Sequence, residues 1–351
     1  MKPSLSEVVQ ATWLDRVWEE LFAEGSTLLI SPRQIRLDGL DRKRVRAAEL
    51  ATIEATESET LQLRSGRMLR DVSGQMVDAV AMGDVPMFSI IERAPVDDDV
   101  FFARVSRPDS VLHSALADVE QQDLQRSLNL RRTALLAEAE IYAQPQAPFA
   151  ISTLRPSRHW IQRWRLLAQQ VFGADQQKLW ARLLVQEVAA PGRYPLAIMD
   201  ALARIDEADL PGIQLLACYS FREFIFDASQ RYFSSDLHKP LITAAARMGL
   251  LQAEGNRFWL NLKPRDVERK PQLLICNNRA LQVRKLPQQG LQLPVIRVSD
   301  AGKQIFRLCS VHADIAYLMD MAEYLRSHGA EVALGDWGSR DRIFEKRLNV
   351  A

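Results

Sequence analysis

The chain has 351 residues, 47% of them hydrophobic and 25% charged, with 15 Gly and 16 Pro. That length exceeds one ordinary core, and the composition excludes a low-complexity or disordered chain. The net charge of +1 conceals an asymmetry: residues 1–150 carry 17 Lys and Arg against 24 Asp and Glu (net −7), and the rest carries 28 against 20 (net +8), which leaves the basic half open to an anionic partner and the two halves to head-to-tail contact.

Leu5, Val8, Val9, Leu14, Val17, Trp18, Leu21 and Phe22 recur at helical spacing, with Ser4 or Ser6 as cap and Gly25 as stop. Asp15, Glu19, Glu20 and Glu24 make its polar face acidic, which favours packing against protein over a membrane surface. Residues 41–82 read as a long helix, poor in bulk at first and with a stripe of Leu61, Leu69, Val72, Met76 and Val80 later. A loop with Pro86, Pro95 and the run Asp97 to Asp99 follows, with one short strand over 100–105. A third long helix runs from Pro108 to about Tyr142, ended by Pro145 and Pro148. Residues 1–150 are therefore expected to form an acidic, elongated helical region suited to self-association.

The next region, 151–232, reads as a compact Trp-rich helical domain. Trp160, Ile161, Trp164, Leu167, Ala168 and Val171 share one helix face; Gly173 ends it, and Asp175 can cap a helix with Leu179, Trp180, Leu183, Leu184 and Val188 before Pro191-Gly192. Helices are expected again over 195–205 and 209–226. Glu187 falls on the apolar face, where an unpaired charge is costly, so it needs Arg163, Arg165, Arg193 or the N-terminal amides of a neighbouring helix. It reads as a structural clamp, beside Trp160, Trp164, Trp180, Pro191 and Gly192.

The runs His159-Trp160-Ile161, Gln177-x-Leu179-Trp180-x-x-Leu183-Leu184-x-x-Glu187 and Pro191-Gly192 resemble a bacterial family described as a domain of unknown function. A weaker likeness reaches from Arg131-Arg132 to the helix after Ser299, about two thirds of the chain. The resemblance implies a bacterial intracellular protein and brings no agreed activity or catalytic residues.

Residues 233–335 carry a helix capped by Ser234 or Ser235 and stopped by Gly249, an apolar strand Phe258 to Leu262, further strands at 273–275, 281–283 and 293–298, and a helix capped by Ser299-Asp300. This order resembles a winged helix-turn-helix with a wing lengthened by insertion. A winged helix places its second helix in the major groove, so nucleic-acid contact is assigned to His238, Lys239 and Arg247 on that helix, and to Arg257, Lys263, Arg265, Arg269, Lys270, Arg284 and Lys285 on the wing. Residues 251–300 hold nine Lys and Arg against four acids. His312 to Arg326 forms another packing helix, 331–334 adds a strand, and 336–351 reads as a polar tail.

Enzyme signals are thin: no phosphate loop, no zinc-protease helix, no nucleophile elbow and no dinucleotide fingerprint is present. Asp266, Glu268 and Lys270 could hold a divalent metal as in some nucleases, but Pro264 and Pro271 flank them and argue for a loop. Cys218, Cys276 and Cys309 have no Cys-x-x-Cys spacing and read as buried thiols. No stretch approaches the roughly 18 apolar residues a spanning helix needs, which points to the cytoplasm. The expected fold is mainly α, a multi-domain helical protein with a small α+β winged-helix-like C-terminal domain. The expected function is non-enzymatic: a homo-oligomeric adaptor of a bacterial stress or phage-defence system, without cofactor or metal. A nucleic-acid-binding regulator is the alternative, and a metal-dependent nuclease the second.

Overall fold

The computed structural model describes residues 5–22, 29–65, 68–70, 76–78, 108–143, 152, 154–227, 238–252, 258–263, 272–338 and 344–348. The chain is mostly helical, with small antiparallel sheets towards its C-terminal part. In order the elements are α1 (Leu5–Phe22), α2 (Pro32–Leu37), α3 (Arg42–Arg64), β1 (Met68–Arg70), β2 (Met76–Asp78), α4 (Pro108–Ala143), α5 (Arg158–Ala168), α6 (Ala174–Ala189), α7 (Leu196–Leu202), α8 (Leu210–Tyr219), β3 (Phe224–Phe226), α9 (His238–Arg247), β4 (Leu251–Gln252), β5 (Phe258–Leu262), β6 (Gln272–Cys276), β7 (Arg279–Lys285), β8 (Leu291–Val298), α10 (Asp300–Cys309), α11 (Ile315–Ser327), β9 (Glu331–Trp337) and β10 (Phe344–Leu348).

Local chemistry sets several of these helix starts. Ser157, Ser299 and Asp314 each accept a hydrogen bond from a backbone N–H three residues on, satisfying a donor that the first turn would leave open. Asp41 does the same for Lys43 at the start of α3. The α6 helix starts without a side-chain cap: Gly173 holds the N-cap position and Asp175 sits in the first turn.

Three departures from the sequence expectation have physical causes. The helix expected to run to residue 82 stops at Arg64, and Met68–Arg70 pairs antiparallel with Met76–Asp78; Gly66 and Gly74 in this stretch each disfavour helix by about 1 kcal/mol. The helix expected over 209–226 ends at Tyr219, and the chain turns at Arg222 (φ 68°) into β3. The aromatic and β-branched run Phe224-Ile225-Phe226 does better in a sheet. The stretch expected as a polar tail contributes β10, antiparallel to β9. The strand expected over 100–105 lies outside the described residues.

A continuous core joins α1 to the Trp-rich helices. Trp13, Leu14, Val17, Trp18 and Leu21 of α1 are buried in the same cluster as Trp164, Trp180 and Leu184, and α1 packs on α4 and α6. The α4 and α6 helices meet closely, α4 offering Ala134, Ala137 and Ile141 with no exposed surface. α3 buries little, Ile53 and Arg46 being its buried residues.

Two sheets build the C-terminal part. In the first, β8 is central: β3 pairs with it antiparallel on one side, and β4 and β5 pair with it antiparallel on the other. The second has the order β10-β9-β7-β6, all antiparallel, with α11 against β9. The hairpin β6–β7, which lies between β5 and β8 in sequence, thus leaves the first sheet and pairs with the C-terminal strands. Close approaches hold the first sheet to its helices. A Cβ on Gly302 would lie 2.2 Å from the Leu250 carbonyl oxygen, and one on Gly212 would lie 2.3 Å from the Leu241 side chain. The backbone contact at Gly302 requires glycine for α10 to sit on the turn before β4, whereas at Gly212 the neighbour is the end of the Leu241 side chain, which can shift.

Candidate functional site

The α9 helix turns Ala245 into the core and half-buries Leu241 and Ile242. Lys239, Thr243 and Arg247 are exposed and fall at i, i+4 and i+8, one row on one face. The row extends about 12 Å along the axis at 1.5 Å per residue. Gly249 (φ 76°) then reverses the chain into β4, so the cationic row runs directly into the sheet.

Among the wing residues assigned from sequence, Lys263 is exposed just beyond β5. Arg284 and Lys285 lie on β7, in the second sheet. Arg284 is half-buried with Nε donating to Gln282 Oε1 at 3.3 Å, and Lys285 is exposed, 3.8 Å from Glu331. The side chain of His238, and Arg257, Arg265, Arg269 and Lys270 altogether, fall outside the described residues, as do Asp266 and Glu268 of the nuclease reading.

The outer face of the first sheet was not singled out from sequence. Along β5, Trp259 (51% exposed) and Asn261 point outward between half-buried Phe258 and Leu260 and buried Leu262. In the register with β8, Trp259 stands opposite Pro294 and Asn261 opposite Gln292, which is also exposed. Lys263 continues the alternation. On the opposite face of the pair, by the same alternation, the Arg297 guanidinium lies 4.8 Å from the centre of the Phe258 ring. The signal was the period-two run Trp259, Asn261, Lys263, hidden by reading Phe258 to Leu262 as simply apolar.

Of the residues assigned to architecture, Trp160, Trp164, Trp180 and Glu187 are buried, whereas Pro191 is half-buried and Gly192 exposed. Trp160 Nε1 donates to the Tyr194 carbonyl at 2.8 Å and Trp164 Nε1 to the Trp180 carbonyl at 3.1 Å. Glu187 is 2% exposed, and among the described residues its hydrogen-bond partners are neither an arginine nor the amides of a neighbouring helix. Its Oε1 accepts from the Gly192 amide at 2.6 Å and its Oε2 from the Tyr194 amide at 2.9 Å. The turn that carries these amides needs Gly192 at φ 85°. Arg163 pairs instead with Asp200, and Arg193 lies over the Tyr194 ring.

A second buried acid escaped the sequence reading. Glu138, 1% exposed on α4, accepts from Arg46 Nε at 3.0 Å and Nη2 at 2.6 Å, while Arg46 Nη1 reaches Glu49 at 2.5 Å and the Ile30 carbonyl at 2.8 Å. Burial works against the Arg46 charge, but the hydrogen bonds and charges of Glu138 and then Glu49 outweigh it and hold the guanidinium above its ordinary range. No local motif announces a pair 92 residues apart.

Among the described residues no group of three or more His, Cys, Asp or Glu could hold a metal ion. Burial pushes the Cys276 thiol well up and the Cys309 thiol to about 12, so neither is a poised nucleophile. A groove of about 350 Å³ is lined by Arg155, Arg158 and Arg165 with Glu20, and Arg155 is drawn towards Glu19 (3.3 Å) and Glu20 (3.5 Å). It holds no nucleophile beside a base. No described helix is long and apolar enough to cross a membrane.

Residues 121–220 match the family described as "Protein of unknown function (DUF2806)". The matched stretch contains the Trp- and Leu-rich runs and stops at Ser220, before β3. Neither the curated proteins nor the solved structures contain a match to the chain.

Proposed function

We propose that this chain works by binding, not catalysis, and that it binds nucleic acid through a winged-helix-like module made of α8, β3, α9, β4, β5 and β8. The observation that carries the reading is the strand arrangement: a short strand after the first helix and a hairpin strand after the second flank the same central strand, β8, on opposite sides. In this architecture the helix preceding the hairpin is the one offered to the major groove, and here that helix bears the exposed row Lys239, Thr243 and Arg247. Fold alone does not specify function; the cationic row adds the chemistry that phosphates require. A cytoplasmic setting suits such a role.

The test is duplex DNA binding by fluorescence anisotropy at two salt concentrations. Replacing Lys239 and Arg247 by Ala is expected to weaken binding across sequences and to flatten the log–log salt slope by about 2, near one unit per lost phosphate contact. Unchanged affinity and slope would overturn the reading.

A second reading, a homo-oligomeric adaptor, is favoured by Ile315 and Met319. These are exposed at 45% and 42% one turn apart on α11, a small apolar strip suited to a protein contact. Light scattering of the wild type and of Ile315→Glu/Met319→Glu decides it: a monomeric wild type, or an assembly that the two charges leave intact, removes it.

A further inference from the structure

Four side chains on the outer face of the β5–β8 pair have a shared chemistry that a duplex-binding helix does not use. Trp259 and Asn261 are two apart on β5, Gln292 faces Asn261 across the ladder, and Lys263 extends the same face. Side chains two apart along a strand stand about 7 Å from one another, and directly opposed ones about 5 Å. An indole plane thus lies beside two primary amides, each with donors and an acceptor, and a cation. Among the described residues no hydrogen bond or ion pair engages these four side chains. Half of Trp259 stays in water although it is the largest apolar group of its strand. Strands β4, β5 and β8 contain no Asp or Glu, so no carboxylate on them repels a polyanion.

We propose that this face is a nucleobase platform for single-stranded nucleic acid: an unpaired base stacks on Trp259, the Asn261 and Gln292 amides hydrogen-bond to base edges, and Lys263 takes an adjacent phosphate. The choice of single strand over duplex follows from geometry. In a duplex both π-faces of a base are covered by its stacked neighbours, so an indole standing on a sheet reaches a face only when the base is unpaired and unstacked. The amides then read a base edge that pairing would otherwise occupy. The proposal rests on reading this module as a nucleic-acid binder, but not on α9.

The full chain is titrated into a labelled mixed-sequence oligonucleotide of about 15 nucleotides, within the span of common single-strand sites, and into the same sequence as a duplex. The wild type is expected to bind the single strand. Trp259→Ala should weaken that binding roughly tenfold or more, since stacking on one aromatic contributes at that level, and Trp259→Phe should recover most of it. Duplex affinity should be unaltered by either. Asn261→Ala/Gln292→Ala should erase differences among homopolymer strands. Because Trp259 is half exposed, melting followed by circular dichroism should superpose for variant and wild type.

A single-strand affinity that Trp259→Ala leaves unchanged, or that Trp259→Phe fails to restore, overturns the platform. Duplex binding without single-strand binding overturns it while leaving the α9 reading standing. Single-strand binding that depends on Trp259, with no duplex binding, supports the platform and removes the α9 reading. Binding to neither removes both.

Discussion

The helices from α1 to α7 and the β5–β8 face treat polar groups in opposite ways. Among the helices, acids that land on apolar faces are answered from within: Glu187 by two amides of its own following turn, and Glu138 by an arginine brought from α3. On the β5–β8 face, Trp259, Asn261 and Gln292 are left open to solvent. A buried polar group must be paired because desolvation is costly, whereas an exposed one without partners costs nothing to keep. The two buried acids of the first region are accordingly explained by stability, and the polar side chains of the second are available for recognition.

The sharpest way to break this comparison is Glu138→Ala, which leaves the Arg46 guanidinium, beside Trp18, with Glu49 and the Ile30 carbonyl as its remaining partners. Removing one member of a buried pair is expected to cost about 3 to 5 kcal/mol, read as a lowered urea midpoint. Changing Arg46 to Met in the same chain should return part of that loss. A single-variant cost below about 1 kcal/mol would mean that Glu49 alone suffices for Arg46.

Next in size is Glu187→Ala, expected to lower unfolding free energy by about 2 to 4 kcal/mol because two amides lose their acceptor. Glu187→Gln, with one carbonyl oxygen in place of two, should fall between. Equal stability of Gln and wild type would show that a single acceptor holds the turn.

Smaller again is a pH effect at the junction with the sheets. Burial raises the Cys309 thiol from 9.0 to about 12, so the folded chain keeps its proton where the unfolded chain has released it. The associated stability is complete below pH 9 and is lost as pH rises towards 12, at about 1.4 kcal/mol per pH unit. Denaturation at pH 8 and pH 10 should therefore show a decline that is shallower by about that amount in Cys309→Ala; parallel declines would place the thiol in contact with water. The smallest expected effect sharpens the comparison most: Asn261→Ala/Gln292→Ala should change stability by no more than about 0.5 kcal/mol, both side chains being exposed and without a partner among the described residues. A large loss would return these amides to architecture.

Much of the helical part was legible because its signals are local. Ser299 caps the helix expected of it, and the i, i+4 spacing of Trp160 and Trp164 put both indoles inside. Glu187 was recognisable as a buried acid from its place in the stripe, but its partners were not, since an amide pair in a turn carries no side-chain signature. The β1–β2 hairpin is hard to tell from helix in the sequence because the apolar positions of 61–80 fit a helical stripe as well as short strands, and only Gly66 and Gly74 weigh against the helix. The Arg46–Glu138 pair was invisible for a different reason: neither residue type nor spacing distinguishes one arginine of the run 42–46 from the next.

What the amino-acid order determined by itself is the set of segments, their caps and stops, and which face of each is apolar, because these depend on neighbours within a turn or two. Tertiary structure alone decided that β6 and β7 would leave their sequence neighbours for β9, that β8 would lie between β3 and β5, and that Trp259, Asn261 and Gln292 would share one open surface. Strand pairing joins residues far apart in the chain, and which partner wins depends on the burial gained by the whole sheet, a quantity no single segment contains.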